Sequence, residues 1–209
     1  MTRGAVRVHF APGASVAAPP SGVRLGVGRG GPVLIRLFRS GGTRIVLAAG
    51  VLPAQLIAIR TAASGAGVHV ISVRPQLWQP LLRHGADAHI LGPGAPLPPQ
   101  SGPTLVIDDR PAEVRGAAEV PPWQCRLDVR THWTPSELGT FAHADVVVLG
   151  TVAGALAAQV AAGFDVPRAA TSAMAALAPG SFALLRRGRL EYVSLDPTPA
   201  EAGVLELAR

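Results

Sequence analysis

Thr43–Pro75 reads as a strand, a helix and a second strand in close succession. Ile45–Ala48 is a short apolar run, and Ala49-Gly50 supplies a turn. Leu52, Leu56 and Ile59 then recur three to four apart, the spacing of one helix face. Gly65-Ala66-Gly67 stops that helix, and Val68–Val73 is a second β-rich run. A unit of this kind, about 30 residues long, is the module of parallel sheets, because parallel strands can be joined only by a crossover. It commits the chain to an α/β fold. The expected architecture is a Rossmann-like, mostly parallel sheet flanked by helices, with this unit at its centre and β-hairpins at the N-terminal and C-terminal ends.

Units of this type often hold nucleotides, but this one lacks the usual equipment. A dinucleotide fingerprint needs three glycines across the first turn, and here Gly50 stands alone. Pro53 suits the first turn of a helix. The second strand runs into Arg74 where an acid would hold a ribose. The glycine-rich stretch Gly26–Gly31 is followed by no helix, so it reads as a hairpin turn and not as a phosphate loop. The chain has no lysine, which removes a P-loop lysine, a Schiff-base lysine and a lysine general base. Strand Thr104–Ile107 ends in Asp108-Asp109, which resembles the acid pair that holds magnesium beside a phosphate loop. No such loop exists, and a capped turn at Asp109-Arg110-Pro111 is the simpler reading.

Residues 1–21 read as an N-terminal strand and a Pro/Ala linker without a signal-peptide core, and 22–209 as a single α/β domain. Val23–Arg39 has the pattern of a hairpin. Pro75–His84 has that of a short helix, and Ala88–Leu91 that of a strand. An apolar alternation of Trp123, Cys125, Leu127 and Val129 marks Trp123–His132 as another strand. Thr134-Pro135-Ser136-Glu137 is a capping box. Ala144–Phe164 is apolar enough to raise a membrane span, but its β-branched start and the Gly150-Thr151 break favour strand, turn and helix, with Thr151 as N-cap. Asp165–Leu177 reads as a helix, Phe182–Leu185 and Arg189–Leu195 as a second hairpin, and Thr198 as the cap of a closing helix.

Charge is unevenly spread. The first carboxylate is Asp87, and ten of the 19 arginines precede it; all 13 acids lie from Asp87 onward. Arg24, Arg29, Arg36, Arg39 and Arg44 are therefore candidates for a basic interaction surface. The single Cys125 excludes an internal disulfide and reads as a small buried hydrophobe. His84, Asp87 and His89 are ligand-type residues that straddle a helix end and a strand start, so they need not converge. No serine-hydrolase elbow, zinc motif or nucleic-acid motif is present.

Several stretches together resemble the soluble domain of the EccE family, a core component of type VII (ESX) secretion systems in actinobacteria. They are Val70–Trp78 with its Arg74-Pro75-x-x-Trp78; Ala144–Gly150 with the Ala-rich segment and Gly163–Pro167; and Ser181–Glu201, ending in Pro197-Thr-Pro-x-Glu201. The resemblance implies an α/β soluble domain with a non-catalytic role on the cytoplasmic side of a membrane-embedded translocon. It transfers no catalytic, cofactor or metal residue. Members usually carry two N-terminal transmembrane helices, and no such segment is legible here. The expected function is a non-enzymatic scaffold at the inner face of the plasma membrane. It would meet other secretion components and, through its arginines, an anionic membrane surface or acidic partner; no nucleic acid and no cofactor is expected. The alternative is a Rossmann-like enzyme that binds a nucleotide or nucleotide-sugar at the Gly50 turn, with Asp108 or Asp109 on a metal.

Overall fold

A computed structural model describes residues 22–82, 88–100, 102–111 and 119–206. The expected N-terminal strand and linker at 1–21, and the His84–Asp87 part of the ligand-type cluster, lie outside the described residues.

Ten strands form one sheet: β1 (Val23–Gly28), β2 (Gly31–Ile35), β3 (Thr43–Ala48), β4 (Gly67–Ser72), β5 (Ala88–Leu91), β6 (Thr104–Asp109), β7 (Gln124–Val129), β8 (Val146–Leu149), β9 (Ser181–Arg186) and β10 (Arg189–Ser194). Their spatial order is β2-β1-β10-β9-β8-β3-β7-β6-β4-β5. From β8 to β5 every pairing is parallel, and from β8 to β2 every pairing is antiparallel. The α/β class and the mostly parallel sheet flanked by helices stand.

The strand order differs from that of a dinucleotide-binding fold. β3 and β4 are joined by helix α1 (Leu52–Ala63) but are not neighbours, because β7 and β6 lie between them. In the dinucleotide fold the strands of such a unit sit side by side. β3 does lie in the interior of the sheet, as the Thr43–Pro75 pattern implies.

The parallel strands inside the edge strand β5 bury residues on both faces, so their residues divide by alternation. On one face Ile45, Leu47, Val68, Val70, Leu105, Ile107, Leu127 and Val129 meet α1 through Ala54, Ile57 and Ala58, together with Trp78 and Leu81. On the other, Val46, Val147, Leu149, Ala183 and Leu185 meet Phe141, Ala157, Val160, Phe164 and Met174. These come from helix α3 (Leu138–Phe141), helix α4 (Gly154–Gly163) with its C-cap residue Phe164, and the 3-10 run Arg168–Ala176. Trp78 belongs to a 3-10 turn, Pro75–Trp78, that runs into the short helix α2 (Gln79–Leu82).

Three local expectations are corrected. Ala153, not Thr151, is the N-cap residue of α4, because Val152 is pulled into a hydrogen bond with the Met174 carbonyl. Asp165–Leu177 is a 3-10 run starting at Arg168, after Asp165 adopts a left-handed φ of 54°. Trp123 precedes β7 with φ 60° and is 55% exposed, so it breaks the alternation that Cys125 begins. Among the described residues no helix is long and apolar enough to cross a membrane, and Ala144–Phe164 divides into β8 and α4.

The last helix, α5 (Pro199–Val204), is clamped to α1 by a two-pronged ion pair. Arg60 donates to Glu201 from Nε at 2.6 Å and from Nη2 at 2.8 Å, and its Nη1 donates to the Arg24 carbonyl at 2.9 Å. Glu201 also accepts from the Thr198 N–H at 2.7 Å, closing a capping box. The Arg60 hydrogen bonds hold the Glu201 carboxyl at about 2, below its ordinary 4.5. A depressed carboxyl stabilises the fold above its unfolded value and ceases to do so as pH falls through the folded one. Glu201→Gln is expected to lower stability at pH 7 by roughly 1–3 kcal/mol. In urea titrations the gap from wild type should close as pH falls from about 4.5 toward 2; a gap that stays constant with pH would refute the assignment.

Candidate functional site

In open α/β sheets the place to look is the carboxyl edge of the parallel strands, where connections diverge to opposite faces. Here that edge gathers Ala48–Gly50 at the end of β3, Ser72–Arg74 at the end of β4, Asp109–Pro111 at the end of β6, Arg130–His132 after β7 and Gly150–Thr151 after β8. The divergence is at β3. Its helix α1 packs on one face, whereas α3 and α4, which follow β7 and β8, pack on the other. Two clefts open there and share the wall Thr131–Trp133. One, of about 540 Å³, is lined by Arg74, Asp109, Arg110, Arg130, His132 and Glu137 among others. The second, of about 650 Å³, reaches Gly50, Thr151 and Ala153. Gly50 holds φ +81°, a left-handed conformation that a side chain would strain.

The adjacent acids Asp108 and Asp109 are drawn apart by the strand they share. Successive side chains of a strand point to opposite faces, so the pair cannot close on one ion together. Asp109, 3% exposed, accepts from Ser72 Oγ at 2.7 Å and Trp78 Nε1 at 2.9 Å, and pairs with Arg74 Nη2. Asp108, 1% exposed, turns to the opposite face. It accepts from Arg110 Nε at 2.9 Å and Nη2 at 2.8 Å, and from Arg126 Nη2 at 2.8 Å. Arg126 Nε also reaches Asp128 at 2.9 Å. Buried carboxylates satisfied by charge-assisted bonds hold a structure together and have little acceptor capacity left for a metal. The motif Arg74-Pro75-x-x-Trp78 is thus legible as a device: it delivers a guanidinium and an indole N–H to one carboxylate. The acid pair was visible in the sequence; its division between faces follows from alternation alone. The Arg126–Asp128 partnership was missed, although period-two charges opposite Cys125, Leu127 and Val129 signal it.

The five sequence-predicted arginines are dispersed. Arg39 and Arg44 come together around Asp145: Arg39 Nη2 lies 2.7 Å from its carboxylate, and the Arg44 N–H donates to it at 2.8 Å. Arg24 pairs with Asp196 beside the Arg60–Glu201 clamp. Arg29 is exposed in the turn between β1 and β2, and Arg36 is exposed after β2. Cys125 is fully buried, and burial pushes its thiol well above the ordinary thiol range. His89 stacks on His69 across β5 and β4, with ring centroids 5.2 Å apart. Among the described residues no group of three or more His, Cys, Asp or Glu is arranged to hold a metal ion.

No protein-family model matches the chain, and no curated protein matches it significantly.

Two outcomes follow. Asp109→Ala leaves Arg74 and the Trp78 N–H without their acceptor and is expected to destabilise by about 2–4 kcal/mol in urea unfolding. A loss under about 0.5 kcal/mol, the size of an ordinary surface substitution, would show that the node is not structural. Cys125 should be silent toward a thiol-reactive dye in the native state and react fully in denaturant; rapid native labelling would contradict its place in β7.

Proposed function

We propose that this chain is a non-catalytic scaffold of a type VII (ESX) secretion apparatus, an EccE-like α/β module acting at the cytoplasmic face of the membrane. The observation that carries the reading is the Asp109 node. Arg74 and Trp78, two of the residues on which the resemblance rests, converge on a buried carboxylate and fix the edge of the sheet. A motif used this way marks a shared fold, not a shared reaction. The same edge supports a non-enzymatic role in a second way: both acids that a nucleotide-dependent enzyme would turn toward a metal are engaged by arginine, serine or tryptophan. Other secretion components are the partners under this reading, and exposed Arg29 and Arg36 are available to an anionic membrane surface or acidic protein.

The deciding experiment is affinity capture of the tagged full chain from detergent-solubilised membranes of its own host, with mass spectrometry of what is retained. Co-capture of ESX core components, together with loss of ESX-dependent export on deletion of the gene, is the expected result. Retention of no secretion component and unchanged export in the deletion strain would reject the proposal. Membrane contact is read separately, by co-sedimentation with anionic vesicles at low and high salt. Binding should weaken as salt rises.

A further inference from the structure

Arg130 directly follows β7 and is 7% exposed, yet its guanidinium is poorly answered. Its Nε and Nη1 are buried without a hydrogen bond. Its acid neighbour, Glu137, stands 3.4 Å from Nη1, and the facing Oε1 is likewise buried without a hydrogen bond. The other oxygen of Glu137, Oε2, is turned away from Arg130 and accepts from the Thr134 N–H at 2.8 Å in the capping box. A buried arginine is ordinarily held by several charge-assisted bonds, since desolvating it unpaired is costly. By contrast Arg60, Arg110 and Arg126 each donate to a carboxylate at 2.9 Å or less.

Arg130 is one wall of the 540 Å³ cleft, and the other walls say what a ligand drawn to its guanidinium would meet. Its other guanidiniums are those of Arg74 and Arg110, His132 adds an imidazole, and its acids are Asp109 and Glu137. Asp109 is already answered by Arg74, Ser72 and Trp78. Thr131 and Thr134 add hydroxyls, while Val73, Pro111 and Trp133 make an apolar side. Trp133 is steadied by Phe141, with ring centroids 5.3 Å apart, so one flat surface beside the cations is held in place. A guanidinium fork matches the oxygens of a phosphate, and an indole face accepts a planar ring.

We propose that this cleft binds a small phosphate monoester that carries a planar ring, with the phosphate on Arg130 and the ring toward Trp133. The site is independent of the secretion reading, since a scaffold can carry a ligand and an orphan ligand site needs no translocon.

Adenosine monophosphate is the probe, with inorganic phosphate as the fragment control, in thermal melts and calorimetric titrations of the full chain. At a hundred times its dissociation constant the nucleotide should raise the melting temperature by about 5 °C or more. Arg130→Met should weaken binding at least tenfold, and Arg130→Lys, which keeps the charge but loses the fork, should weaken it in the same direction. Arg29→Ala, in the distant turn, should leave binding unchanged. Free of ligand, the double variant Arg130→Met with Glu137→Gln should stay folded by circular dichroism and melt no lower than wild type, because it removes an ill-satisfied charge pair. The proposal is overturned if neither probe binds, if phosphate binds and the nucleotide does not, or if Arg130→Met and Arg130→Lys bind as wild type does. A double variant that melts well below wild type would show that Arg130 is a structural ion pair, and would overturn it equally.

Discussion

Two neighbouring carboxylates on an inner strand set the terms for much of this fold. A buried acid must be met by donors, and alternation sends Asp108 and Asp109 to opposite faces, so donors must arrive on both. On one face they come from Ser72, Arg74 and Trp78, which ties the end of β4 and the Pro75–Trp78 turn to β6. On the other they come from Arg110 and Arg126, which tie β6 to its own exit and to β7. The polar interior is organised like the apolar one, by which side of each strand a residue occupies.

With no lysine in the chain, every cationic side chain in these contacts is an arginine. Its planar fork spans two acceptors at once, as Arg60 does on Glu201 and Arg126 does between Asp108 and Asp128. The early excess of arginine over acid is a property of the linear chain. Folding cancels part of it: Arg24, Arg39, Arg60 and Arg74 from the acid-free half find Asp196, Asp145, Glu201 and Asp109 from the acidic half.

What could be read directly from sequence follows from how far each signal reaches. The Thr43–Pro75 strand–helix–strand unit is local, and both strands and the helix lie close to where the pattern puts them. The Thr134 and Thr198 capping boxes are local too, and both form. The strand order was not legible, because nothing within Thr43–Ser72 shows that β6 and β7 will lie between its two strands. Trp123 misled because its side chain fits an alternation that its backbone, at φ 60°, leaves. Arg130 was passed over because a cation just past a strand is commonplace until its unmet Nε and Nη1 are seen.

The interposed strands also shape how the molecule must be made. β3 and β4 leave the ribosome early, joined by α1 but held apart by a gap two strands wide. That gap closes only after Thr104–Val129 has been synthesised, and β1, paired early with β2, gains its second partner only when β10 has followed. Until then the nascent protein carries unpaired strand edges rich in valine, isoleucine and leucine, the state most prone to wrong pairing. Contacts of such long sequence separation slow folding. The sheet is thus complete only once β10 has been made, and a chain halted midway would be a client for chaperones, not a smaller version of the domain.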